Sequence, residues 1–309
     1  MKEQNYMRGF WALLICAVLY SISGVAVKVL NETFGSYGQV VVRSALILLV
    51  AGVYLAYSKN GFAMPGLNRI LLLFLGVIIV TQFLGNLFFA ESMMRIKATN
   101  GIFYLYAAQL LAGIFLGPTI NHEKATSTHF IAWGLTLVGI MVFSYPFKDF
   151  QDPLMKTGIL LAMGTGAIEA VKYAAMKKFN GFDRFKIIFY TYLGATIIMT
   201  SVLIFAGQPF STGEFQAITL LALVVMVVIG TVLHWLLLYG NQNFEVNLAS
   251  IVIASEIMFA AVVNFILLGE IPSLKEVIGM VILFSSLVLV KLANSNKPVS
   301  FSVHPAKQG

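Results

Sequence analysis

The chain has 309 residues, of which 59% are hydrophobic and only 11% charged, and its mean hydropathy is +0.88. Such values exclude a soluble domain with a polar surface. The net charge of +7 does not imply nucleic acid, because the Lys and Arg residues stand singly or in small groups in short loops and form no basic face.

Read with a window of about 20 residues, ten apolar stretches follow one another: 9–30, 37–57, 69–92, 97–118 and 127–147, then 155–178, 184–206, 216–241, 247–269 and 273–292. Turn formers such as Asn60-Gly61, Pro65-Gly66, Asp152-Pro153 and Asn180-Gly181 separate them, and the short loops imply antiparallel helical neighbours. The expected fold class is all-α, a polytopic membrane protein of ten transmembrane helices. The first stretch is too long for a signal-peptide core and lacks a small-residue cleavage site, so it reads as an uncleaved helix behind a short N-terminus, 1–8. The polar segment 293–309 reads as a disordered tail.

The ten stretches divide into two halves of five, 9–147 and 155–292. Gly9 and Lys28 bracket the first stretch, and Gly158 and Lys177 bracket the sixth at the same separation, 149 positions later. A unit with an odd number of crossings re-enters the membrane from the opposite side, so the halves form an inverted repeat, the construction many secondary transporters use to place a substrate site at mid-membrane. With the N-terminus inside, twelve loop and boundary cations are cytoplasmic against six outside, which favours both termini in the cytoplasm. The expected location is a bacterial cytoplasmic (inner) membrane.

The segment 249–290 contains Leu268-Gly269-Glu270 and then Ile278-Gly279. It resembles the end of an EamA repeat of the drug/metabolite transporter superfamily, where a small-residue helix runs into a Leu-Gly-Glu turn. The first half carries a degraded copy, Leu116-Gly117-Pro118 and then Trp133-Gly134, with seven extra residues between the glycines. Arg43 resembles the arginine commonly found in the second span of that family. The resemblance implies a transporter of small metabolites, often amino acids, with a central cavity lined by spans one to four and six to nine and with spans five and ten at the periphery.

Candidate site residues follow from asking which polar groups the membrane tolerates. A charged group at the centre of a lipid-facing helix costs about 2.5 to 3.5 kcal/mol on insertion scales, so such groups face a bundle interior or a wet cavity. Glu256 is the deepest, beyond the reach of a snorkelling carboxylate, and reads as a proton-titrating or cation-binding group against the alternative of a neutral acid bonded to a neighbouring helix. Glu169 and Lys172 stand at i and i+3 and can pair, although Lys172 could instead snorkel to the cytoplasmic surface. Arg43 could snorkel or grip a carboxylate with its planar fork, and His234 reads first as a helix–helix hydrogen-bonding residue. Gln82 and Asn86 stack at i and i+4, as do Asn100 and Tyr104, with Gln109 on the opposite side of its helix. Trp11 and Trp133 read as interface anchors.

Two function classes remain. One is a secondary transporter, an exporter or exchanger of amino acids or related organic ions, working by alternating access and open to proton coupling. The other is a polytopic membrane enzyme acting on a lipid or lipid-linked substrate. The sequence shows no nucleophile constellation, no metal-ligand spacing around its single cysteine, Cys16, and no nucleotide-binding glycine motif, so no catalytic residue, metal or cofactor is expected. The implied partners are a small-molecule substrate and the lipid bilayer.

Overall fold

The computed structural model describes residues 2–59, 61–121, 127–144, 152–211, 213–244, 246–268, 271 and 273–294. No strand occurs among them; the chain is built from helices α1 (Lys2–Tyr57), α2 (Arg69–Arg95), α3 (Ala98–Asn121), α4 (Ser127–Ser144), α5 (Pro153–Met176), α6 (Arg184–Phe205), α7 (Ala217–Asn243), α8 (Val246–Ala254), α9 (Glu256–Leu268) and α10 (Leu274–Asn294). Helix therefore begins at Lys2, inside the expected N-terminal segment, and the expected tail lies, from residue 295 on, outside the described residues. Asn68, Asp152 and Asp183 cap α2, α5 and α6, each accepting from a backbone N–H of the first turn.

Six helices, α1, α2, α3, α5, α6 and α7, hold stretches long and apolar enough to cross a membrane, among the described residues. Three of the ten expected stretches have a different form. The first two run together in α1, which bends at Gly35 (φ 62°, ψ 176°), a conformation open to glycine and strained for any other residue. The ninth is not one continuous helix: it breaks at Ser255 into α8 and α9, because the Ser255 N–H and hydroxyl both turn back to the Val252 carbonyl, at 3.2 and 2.6 Å. Large apolar side chains such as Leu49, Leu73, Ile204 and Ile266 stand exposed on the outer faces, as a lipid-facing surface requires.

The 149-residue offset is visible in the packing. Gly9 lies against Asn243 and Phe244 at the end of α7, and Gly158 lies against Arg95 and Ile96 at the end of α2, each close enough that a Cβ would touch its neighbour. The first arm of α1 packs on α7 as α5 packs on α2, and α1 also packs on α6 and α4 on α10. Loops are exchanged reciprocally between the halves. Residues 210–211 and 213–215 clasp the α1 elbow, where the Thr33 carbonyl accepts from Gly213 N–H (3.0 Å) and Ser211 Oγ (2.9 Å) and Phe34 meets Phe210 and Phe215 edge-on. In the matching place, the segment after α1 reaches α6: Tyr190 donates to the Phe62 carbonyl (3.0 Å), Lys186 donates to Ala63, and Phe62 packs on Phe189.

Two apolar clusters pack the bundle. Val27, Leu30, Phe34 and Met199 pack at the elbow, and Tyr6, Phe10, Phe179 and Phe244 belong to a larger cluster that extends to Ile47, Leu105 and Tyr106 beside the cavity. Of the two expected interface anchors, Trp11 is exposed, but Trp133 is buried at 2% with its ring edge-on to Phe130, so it is a packing residue of α4.

Candidate functional site

Beside these clusters lies a cavity lined from both halves by α1, α2 and α3 and by α5, α6, α7 and α9. Among the described residues, neither α4 nor α10 contributes a lining residue. Seven of the eight candidate side chains meet there: Arg43, Gln82, Asn86, Glu169, Lys172, His234 and Glu256.

The eighth, Tyr104, does not line the cavity. It is buried with its ring edge-on to Phe103 (5.0 Å), and the face of α3 that reaches the cavity carries Leu105, Tyr106 and Gln109. At about 100° per residue, Tyr104 lies most of a half-turn away from Tyr106, so the Asn100–Tyr104 stripe faces away from the cavity.

Lys172 reaches no membrane surface. Its side chain is buried, and Nζ donates to Glu169 Oε1 at 2.5 Å and to Gln82 Oε1 at 3.1 Å. The ammonium is a donor only, so it fixes the oxygen end of the Gln82 amide toward itself. The same oxygen lies 2.9 Å from His234 Nε2, which must then carry a proton, and Gln82 Nε2 donates to the Tyr192 hydroxyl at 3.3 Å. His234 Nδ1 lies 3.0 Å from both the Tyr192 hydroxyl and the Gly230 carbonyl oxygen. The chain Glu169–Lys172–Gln82–His234–Tyr192 thus ties α5, α2, α7 and α6 together through one amide.

Arg43 is also buried, which removes the snorkelling reading; its Nη2 donates to Asn86 Oδ1 at 3.3 Å. No carboxylate pairs with it among the described residues. Glu256 stands at the start of α9, immediately after the break, and accepts from the Tyr106 hydroxyl. The two cations and two carboxylates of the cavity are therefore unequally matched: Lys172 holds Glu169, a phenol holds Glu256, and Arg43 meets an amide. Among the described residues no group of three His, Cys, Asp or Glu could hold a metal.

Tyr20, Ser23, Tyr173 and Tyr192 line the cavity without having been singled out in the sequence. A signal for three of them was present. Carrying the repeat offset from Glu169, Lys172 and Arg43 lands on Tyr20, Ser23 and Tyr192, and all three face the same space.

A model described as the EamA-like transporter family matches residues 7–145 and again residues 156–292. The chain belongs to the EamA-like transporter family. Its two EamA matches begin 149 positions apart, the offset read from the glycines and from the packing. Membership in the EamA-like family, together with the apolar helices, makes the chain an integral membrane protein of transporter type. Among solved structures 28 chains match. One, described as "Crystal structure of protein", is 15% identical with a TM-score of 0.73, covering 96% of this chain and 100% of that one, and so shares the EamA-like fold. A comparison with curated proteins finds no match.

Proposed function

We propose that the chain is a secondary transporter of small zwitterionic metabolites, such as amino acids or related organic ions, working by export or exchange. In this reading it makes ten crossings with both termini cytoplasmic, in a bacterial inner membrane. The two repeats rock around the cavity and expose it to each side in turn. The observation that carries the reading is the cavity itself: a space lined by charged side chains from both EamA repeats of an apolar bundle.

Arg43 is the grip for a substrate carboxylate, because its planar fork lacks an anionic partner and a bidentate carboxylate would supply one. Glu256 is the coupling group. It can exchange its partner, the Tyr106 hydroxyl, for a proton or for a substrate ammonium, and its place at the head of a broken helix lets it move with α9. Glu169 is held in reserve by Lys172.

Purified full-length protein in proteoliposomes loaded with a mixture of amino acids and organic acids tests the reading. Labelled substrate should exchange without ATP and without an added soluble protein. No exchange of any member of the mixture, together with covalent turnover of the bilayer lipids, would overturn it in favour of a membrane enzyme.

A further inference from the structure

The cavity contains three side-chain amides, and two of them are occupied. Gln82 is engaged at both ends by Lys172, His234 and Tyr192, and Asn86 turns its oxygen to Arg43. Gln109 differs. Its side chain is fully buried and lines the cavity, yet neither Oε1 nor Nε2 has a hydrogen-bonding partner. Buried amides left unpaired are rare in folded proteins because burial removes water without replacing it. A second polar atom of the cavity-lining residues is in the same state: Glu169 Oε2, on the neighbouring helix α5, is unpartnered while Oε1 is held by Lys172.

The wall that carries these atoms is rigid. A Cβ on Gly166 would lie 1.9 Å from the Leu105 carbonyl oxygen and 2.9 Å from the Gln109 backbone nitrogen, so α3 and α5 cross backbone against backbone one turn from Glu169. Gln109 is therefore presented from a fixed position, as a recognition group must be.

We infer that Gln109 and the free Oε2 of Glu169 form a specificity subsite for an uncharged substrate group that carries a donor and an acceptor side by side, a carboxamide above all. An amide is the complement of an amide, since each supplies the N–H and the C=O that the other lacks. The group is uncharged because Lys172 already answers the charge of Glu169; a second cation would compete with it, whereas a neutral N–H uses the free oxygen without displacing the pair. The subsite is separate from the Arg43 grip and sorts substrates by side chain rather than by head group. It rests on the transporter reading above.

The test uses the reconstituted full chain, with L-glutamine and L-norleucine as probes that share a head group and differ in the side-chain amide. Wild type should exchange glutamine faster by about tenfold or more, as sites built to hydrogen-bond reject analogues lacking the group. Gln109→Leu should lose that preference while still exchanging norleucine, and Gln109→Glu, which keeps an acceptor, should fall between. The melting midpoint of Gln109→Leu in detergent should not fall, since no protein–protein bond is lost. An unchanged preference in Gln109→Leu, an equal rate for both probes in wild type, or a lowered midpoint would each overturn the subsite. Exchange of no zwitterion by wild type would instead refute the transporter reading. The subsite is then decided by binding: stabilisation of wild type but not Gln109→Leu by millimolar glutamine supports it, and equal or no stabilisation overturns it.

Discussion

Gly166→Ala is the substitution for which the structure gives the largest consequence from the smallest change. The added methyl would sit 1.9 Å from the Leu105 oxygen, 2.8 Å from its carbonyl carbon and 2.9 Å from the Gln109 nitrogen, and all three are backbone atoms that no rotamer change can move. Ordinary contact begins near 3.4 Å, so α3 and α5 must part by about 1.5 Å at the crossing. Overpacking of this kind costs about 1 to 3 kcal/mol, and immovable neighbours place it at the upper end. Alanine recovers about 1 kcal/mol of helix propensity, leaving about 2 kcal/mol, or roughly 4 to 8 °C in melting midpoint by the scaling of larger domains. Gly76→Ala is the control, because its Cβ would meet nothing within 4 Å and should leave the midpoint unchanged or slightly raised. Both midpoints can be read by thermal denaturation in detergent, alongside exchange in proteoliposomes, where Gly166→Ala should be impaired because Tyr106 and Gln109 move with α3. Melting of Gly166→Ala together with the parent would refute the backbone crossing and with it the rigidity assigned to that wall.

Glu256→Gln should reach the membrane and retain exchange but lose accumulation driven by a pH gradient; unchanged gradient-driven transport would make Glu256 a structural acid and Glu169 the next candidate. Arg43→Lys keeps the charge but not the fork, and should lower exchange of a carboxylate-bearing substrate by about tenfold at matched expression; equal transport would assign Arg43 a packing role. Gly35→Ala, at φ 62° and ψ 176°, should destabilise the elbow by about 1 to 3 kcal/mol, read as a lower melting midpoint. Reporter fusions after Gly61 and Gly181 should read cytoplasmic and those after Gly35 and Gly213 external, and external signals from both of the first pair would invert the orientation.

Most of the cavity was legible because charge is scarce in an apolar helix: Arg43, Glu169, Lys172 and Glu256 each had to be accounted for, and all four line one space. The two halves were legible from a pair of glycines, since close helix contact at Gly9 and Gly158 leaves a mark at a fixed offset. The phase of α3 was not. Asn100, Tyr104, Tyr106 and Gln109 distribute polar and aromatic groups around the whole helix, so no stripe distinguishes the cavity side. The break at Ser255 was hidden for another reason: no glycine or proline marks it, and a serine hydroxyl turning back on the chain leaves an apolar run that reads as unbroken. Nor could periodicity reveal that the first two stretches share one helix through Gly35 while borrowing their cap from the other half.

That borrowed cap bears on how the protein is made. Thr33 finds its partners Ser211, Glu214 and Thr219 at sequence separations of 178, 181 and 186 residues. The corner of α1 leaves the ribosome long before the loop that closes it, and closing so wide a loop carries an entropic cost that local helix pairing does not. The contacts that hold the corner therefore form only once the loop between α6 and α7 has been made, so the elbow of the first half is completed by residues of the second.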